Sequence, residues 1–316
     1  MNILIVGISG FLGHSIGTYL VKNSLGQVYG ATRQKDFDIR GCADVRIALD
    51  ERGYSPLLSS QRFDVVINCA GVDSNYCSQG FSDFFMPNVD YALSLFEWVS
   101  SKRNPLFIFV STVHVYDLQQ SLKIDEDTDP SPTTYYGLSK YLGEEACSFF
   151  SRCHEKRLVI LRLANVFARP NSGLNYLLER KGFVESICRD AVFHGRIVFK
   201  GDHNISRDFI DMTSVQQVVR YIVTNIQVRI EDKQVYNIAS GQSLSLMEVA
   251  LQVANRATEK LGKEVGIDYV RSTRAIQRVS IDSSLRDDHF LQIESLNEQH
   301  ICEILDRLIE KREYEE

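Results

Sequence analysis

The sequence predicts an α/β fold, a doubly wound parallel sheet with helices on both faces, from three observations. Short, almost continuously apolar β-rich runs alternate with longer stretches of helical periodicity through the first half of the chain, as when crossover helices cover both faces of a parallel sheet. The opening run NILIV leads into GISGFLG, a glycine-rich strand-to-helix turn. After Asn165 the rhythm breaks and only partly returns, which predicts a smaller, interleaved C-terminal lobe.

Element by element, the first strand is expected at Asn2 to Val6 and the first helix at Phe11 to Lys22. Further strands are expected at Gln27 to Thr32, Asp64 to Asn68, Leu106 to Ser111 and Leu158 to Leu163. Phe84, Phe85, Val89, Ala92, Leu93, Phe96 and Val99 recur at helical spacing, predicting one helix over 82–102. Another is expected over Thr134 to His154. Beyond the loop-like ARPNSGLNY, the text to about Arg207 mixes short pieces. A DFID strand, a helix near 214–225 and a strand in VYNIAS resume the earlier order. Ile301, Ile304, Leu305, Leu308 and Ile309 share a face of a closing helix. The expected division is a dinucleotide-binding domain at 1–165, with returning elements about 208–240, and a substrate lobe at 166–316.

A chain of 316 residues can bury a large core without staples. A net charge of −6 argues against a general nucleic-acid or membrane surface. Seven cysteines stand singly, with no CxxC pair and no metal-like Cys/His spacing, so neither a disulfide framework nor a metal site is expected. An odd count fits buried thiols in a reducing cytoplasm. The apolar start lacks a basic leader and reads as a strand. No run approaches the roughly 20 apolar residues of a membrane span.

Gly7, Gly10 and Gly13 fall at G-x-x-G-x-x-G spacing between strand and helix. Glycines there permit a sharp turn, close backbone approach to a pyrophosphate and tight helix packing. The helix start offers unpaired N–H groups to that anion; Ser9, Phe11 and Leu12 complete the expected phosphate turn. The second strand ends Ala31-Thr32-Arg33, with no carboxylate for a ribose 2′-hydroxyl and a guanidinium suited to a 2′-phosphate. NADP is therefore favoured over NAD. Asp44 and Val45 are placed at the adenine, and Cys69, Ala70 and Gly71 along the cofactor.

Tyr136 and Lys140 lie four apart in PTTYYGLSK, and so share a helix face. A free phenol titrates near ~10; an ammonium and a nicotinamide cation beside it favour phenolate, a change worth roughly 3–4 kcal/mol. Tyr136 would then exchange a proton with a substrate oxygen as hydride moves at the same carbon. Lys140 would hold the nicotinamide ribose. Thr112, in VSTVHVY, sits at the end of a parallel strand, where ligands gather, and orients the substrate oxygen.

With GISGFLG, NCAG, Asn88 in FFMPNVDY, STVHVY, PTTYYGLSK, LRLANVF, RDFID and YNIASG, the chain resembles an extended short-chain dehydrogenase/reductase of the NAD(P)-dependent epimerase/dehydratase family that acts on nucleotide sugars. The resemblance implies a Rossmann domain, a C-terminal lobe over an NDP-sugar, and homodimers built from helices 82–102 and 134–154. It makes Thr112, Tyr136 and Lys140 the catalytic set and Asn88 a cofactor residue. Asn165 becomes a sugar-nucleotide contact, Arg207 a contact to diphosphate or base, and Arg271 a second phosphate contact. Dehydratases of the family carry Asp-Glu after the catalytic threonine; Val113-His114 stands here, so 4,6-dehydration by that route is not expected. His114 is then an additional acid/base for epimerisation or a packing side chain. Asp117 and Ala168 replace glycines usual in the family, changing the local loops. The implied function is a 4-ketoreductase or C4 dehydrogenase on an NDP-hexose. The alternatives are a 4-epimerase that retains its cofactor, and a cofactor-binding sensor or scaffold without chemistry.

Overall fold

The computed structural model describes residues 1–32, 42–44, 49–50, 53–54, 62–73, 80–119, 123–168, 182–199, 202–225, 234–269, 277–285, 291 and 293–315. The chain forms two compact units. The first comprises Met1–Asp117, Glu126–Leu163 and Gln216–Ile238; the second comprises Leu118–Asp125, Ala164–Val215 and Ala239–Glu316. The returning segment is thus 216–238, where 208–240 was expected, and residues 118–125 make an excursion into the second unit that no sequence signal announced.

In the first unit seven parallel strands form one sheet: β1 (Asn2–Val6), β2 (Gln27–Ala31), β3 (Ala43–Asp44), β4 (Val65–Asn68), β5 (Leu106–Thr112), β6 (Leu158–Leu163) and β7 (Val235–Ile238). Their order is β7-β6-β5-β4-β1-β2-β3. The chain runs outward from β1 to β3, then crosses back to β4 on the other side of β1. That reversal opens a crevice at the carboxyl ends of β1 and β4, where doubly wound sheets bind ligands. Strands β4, β5 and β6 are buried along their whole length, which explains their unbroken apolar text.

Helix α1 (Phe11–Lys22) has the expected bounds. The expected single helix over 82–102 is instead α2 (Ser82–Phe85), a π turn at Met86–Asp90 and α3 (Tyr91–Lys102). Pro87 lies in that π turn and has no N–H to give an i→i−4 bond. Helix α4 (Tyr135–His154) starts at Thr134, whose Oγ1 accepts the Gly137 N–H at 3.0 Å, and ends at Glu155 in the left-handed region, φ +51°. Ala92, Leu95, Phe96 and Val99 of α3 and Cys147 of α4 pack on Leu4, Val66, Phe107 and Ile160 of the sheet. Phe96 stacks on Phe107 with centroids 4.4 Å apart.

In the second unit, Asn165–Phe167 pairs in parallel with Ser206–Asp211, which pairs antiparallel with Ser243–Ser245. The helix Leu246–Leu261 has a full capping box between Ser245 and Glu248. The closing helix, Glu298–Glu315, buries Ile301, Ile304, Leu305 and Leu308, as its spacing predicts. No helix among the described residues is long and apolar enough to cross a membrane.

Candidate active site

The glycine turn after β1 is built around close backbone contacts. Gly7 has φ +82°, and a Cβ on it would lie 2.8 Å from the Ala70 nitrogen and 2.9 Å from Cys69 carbon. A Cβ on Gly13 would lie 2.3 Å from the Gly7 carbonyl oxygen. No side chain caps α1, because Gly10 is its N-cap, and its first turn has no acidic residue. A helix start without an acidic residue, with its positive dipole end at the turn, suits an anion. Ser9 Oγ lies 2.6 Å from Thr32 Oγ1, which ties the turn to the end of β2. Phe11 and Leu12 are half-buried at the helix start. The close-packed glycine cradle at the start of α1 fits the pyrophosphate of a dinucleotide.

Asp44 lies in β3 beside Gly30; Arg33, Val45 and Arg271 fall outside the described residues. Cys69, Ala70 and Gly71 leave β4 on the far side of the crevice. Gly71 has φ +156°, and a Cβ there would meet Asn88 Oδ1 at 2.5 Å and Lys140 Nζ at 3.8 Å.

Asn88, expected at the cofactor, is tied to the loop after β4 and to helix α4. It is 1% exposed. Its amide donates to Val72 O at 3.1 Å and Ser139 Oγ at 2.9 Å, and accepts the Val72 N–H at 3.0 Å. Both of its N–H bonds are thus made inside the protein, and any influence on a cofactor passes through the loop after β4 and helix α4. The π turn presents it there.

The structure brings Thr112, Tyr136, Lys140 and His114 together. Thr112 ends β5 at 6% exposure and its Oγ1 accepts the His114 N–H at 3.2 Å. Its hydroxyl also acts on the Tyr136 phenol, lowering that group's pKa. Gly137 allows α4 to start against this turn: a Cβ on it would lie 2.1 Å from His114 O. The His114 ring is 6.0 Å from that of Tyr136, tilted by 60°. Lys140 donates to Val110 O at 2.7 Å and lies 4.5 Å from the Phe109 ring centroid.

Among the protein's own groups, burial dominates the electrostatics of this pair; the expected phenolate draws also on the nicotinamide cation. Burial pushes Tyr136 up to about 12; the Thr112 hydrogen bond pulls it down, and the Asp73 carboxylate adds to the rise. Burial brings Lys140 down to about 8, with Glu144, Cys69 and Cys147 opposing. Both side chains are held towards their neutral forms because each loses water on burial. Asp73 was missed by sequence reasoning; only its place two residues after Gly71 hinted at it.

In the second unit Asn165 and Arg207 stand on paired strands. Asn165 Nδ2 donates to Asp208 O at 3.1 Å. Arg207 donates to Ser206 O at 2.9 Å, and burial lowers its pKa. No ion pair of Arg207 occurs among the described residues, and the adjacent Asp208 carboxylate is taken by Ser240 and Gly241. A half-buried guanidinium without a carboxylate is suited to an anionic ligand. Asp211, Glu294 and His300 offer ligand atoms within 4.8 Å of one another. Asp211 caps the following helix through the Thr213 N–H, and His300 Nε2 lies 3.3 Å from Glu294, so the cluster reads as a helix cap beside a histidine–carboxylate contact.

Comparison with known proteins agrees with this geometry. The family model described as NAD dependent epimerase/dehydratase family matches residues 3–239. A Bacillus subtilis protein described as an uncharacterized UDP-glucose epimerase is 24% identical, over 91% of this chain and 95% of its own length. The GDP-6-deoxy-D-mannose reductase of Pseudomonas aeruginosa is 25% identical over 68% of this chain and 69% of its own. Among solved structures, a UDP-glucuronic acid 4-epimerase from Bacillus cereus in complex with NAD has a TM-score of 0.75 at 20% identity, covering 98% of this chain and 99% of that one.

Proposed function

Since the chain belongs to the NAD dependent epimerase/dehydratase family and is an enzyme of that group, we propose that it is a nucleotide-sugar 4-ketoreductase, or the corresponding C4 dehydrogenase. The observation that carries this reading is the meeting of Thr112 at the end of β5 with Tyr136 and Lys140 at the start of α4; burial raises the phenol's pKa. A protonated phenol is the proton donor that reduction of a ketone requires.

Gly7, Ser9, Gly10, Gly13 and the first turn of α1 would hold the pyrophosphate, and Cys69 to Gly71 would lie along the dinucleotide. When bound, the dinucleotide supplies the hydride donor or acceptor. Thr112 Oγ1 orients the C4 oxygen, and Tyr136 gives it a proton in reduction and takes one in oxidation. Lys140, with donors beyond its bond to Val110, would hold the nicotinamide ribose and favour phenolate in the oxidative direction. Arg207 would take the diphosphate and Asn165 a hydroxyl of the sugar nucleotide. NADP over NAD is inferred from Arg33 and the missing acidic residue beside it.

The relatives' names favour a second reading, a 4-epimerase. Both readings use the same Tyr136, and cofactor retention separates them. Purified protein is denatured and its released small molecules are weighed by mass spectrometry. A reductase is expected to release no stoichiometric dinucleotide but to oxidise added NADPH with a 4-keto nucleotide sugar. One NAD per chain, with no NADPH consumption, would replace the ketoreductase reading by the epimerase.

A homodimer through α4 and the segment before α3 is also proposed, since Tyr135, Phe149 and Met86 are 59%, 64% and 41% exposed there. Light scattering at micromolar concentration is expected to give twice the chain mass; a monomer would remove this proposal.

A further inference from the structure

Directly beneath the proposed reacting groups lies a polar layer that the mechanism above does not use. Ser111, Arg162 and Asn237 stand side by side on β5, β6 and β7, one rung before the strand ends. Arg162 forks onto Glu144 of α4: Nη2 is 2.7 Å from Oε2, and Nε is 3.0 and 3.2 Å from the two oxygens. Its other arm donates to the Tyr116 hydroxyl at 2.6 Å, which donates to Asn237 Oδ1 at 2.9 Å. Ser111, next to Thr112, donates its hydroxyl to Glu144 Oε1. Glu144 is 1% exposed and Arg162 5%.

An ion pair at this depth contributes little net stability, because the lost hydration of both charges offsets their attraction. Its position suggests another use. Glu144 is one turn beyond Lys140 on the same helix face. Around Lys140 stand Glu144 and Cys147 of α4, Cys69 after β4, and Val110 O and the Phe109 ring of β5. Burial holds both thiols up at about 12, so at neutral pH they are uncharged. Burial raises the Glu144 pKa too, against the pull of Arg162, Ser111 and Lys140; among these neighbours it is the one carboxylate, and Arg162 and Ser111 bond it directly.

We propose that Glu144 and Arg162 are positioning residues of the reaction: the carboxylate, fixed by Arg162 and Ser111, joins the Thr112 strand end to the Tyr136–Lys140 helix and balances the buried ammonium. This rests on the reading of Tyr136 and Lys140 as reacting groups. Native Lys140 loses its proton near 8 and the unfolded residue near 10.5. The unfolded chain therefore binds more protons between these values, and stability from this group rises with pH across that window. Without the Glu144 charge the window extends to lower pH.

The test is a titration of lysine side chains by NMR in the full-length protein, with the Lys140 signal assigned from Lys140→Met. In Glu144→Gln the Lys140 midpoint is expected to fall by about one pH unit or more. The basic limb of kcat should move down with it, and kcat should fall about tenfold or more. Glu144→Asp, which keeps the charge, is expected to restore the midpoint. Should the Gln variant not fold, the pair Glu144→Leu with Arg162→Met replaces both charges by apolar side chains of similar volume. That pair is expected to keep or raise Tm while the Lys140 midpoint and kcat still fall.

An unchanged Lys140 midpoint in a folded variant would overturn the proposal, as would full kcat in the apolar pair. Failure of the apolar pair to fold would overturn it too, by making the two residues a folding element. The titration needs no substrate, so its failure is distinct from that of the C4 reading, which falls if the wild-type chain turns over no nucleotide sugar.

Discussion

Tyr136→Phe is expected to lower kcat by about a thousandfold, within the range for removing a positioned acid–base group, while dinucleotide affinity stays near that of the wild type. The substitution deletes one oxygen from a half-buried ring. It leaves the Thr134 cap, the Gly137 contact and the Lys140 bond to Val110 in place. Thr112, which lowers the Tyr136 pKa, is expected to matter less, so Thr112→Val should give a smaller loss in the same direction. Stopped-flow hydride transfer and dinucleotide titration measure the two effects separately. Comparable turnover in the Phe variant would dismiss Tyr136 as the proton donor; a parallel loss of dinucleotide binding would make it a binding residue.

The second large effect is at Gly13. Alanine would place its Cβ 2.3 Å from Gly7 O and 2.8 Å from Gly7 carbonyl carbon. Both are backbone atoms and cannot rotate away, so α1 must move off β1. Overpacking of this kind costs about 1–3 kcal/mol of stability. The moved helix end also loses one or two charge-assisted bonds to the pyrophosphate, each worth about 1.5–3 kcal/mol, which weakens dinucleotide binding about a hundredfold. Gly266→Ala, where an added Cβ meets nothing within 4 Å, is the silent control. Calorimetric binding at wild-type affinity in Gly13→Ala would show that the turn does not seat the phosphates.

Much of this was legible from local text. The strands at Asn2–Val6 and Leu158–Leu163 and helix α1 were readable to the residue, because apolar runs and glycine turns are short-range signals. That Thr112, Tyr136 and Lys140 come together was readable because strand ends and helix spacing fix where such residues face. The wide turn at Met86–Asp90 was not, since Phe84, Val89, Ala92 and Phe96 satisfy a helical period closely enough to hide one extra residue. Leu95, fully buried, was left out of the core for the same reason. The role of Asn88 and the pairing of Glu144 with Arg162 were hidden differently. Those bonds join residues 16 to 51 and 18 positions apart, and only the completed sheet decides them. The burial that raises Tyr136 was not legible, because a motif displays neighbouring charges but not the water that folding removes.

The wide turn has a practical consequence for sequence comparison. A helix advances about 100° per residue, so one added position rotates every later side chain by that amount. Cousins with an ordinary helix here must be aligned with a single gap between Met86 and Asp90. Without it, the counterpart of Asn88 would be assigned to a neighbour facing another direction, and a natural deletion of one residue would cut the tether to Val72 and Ser139 while leaving every recognisable motif intact.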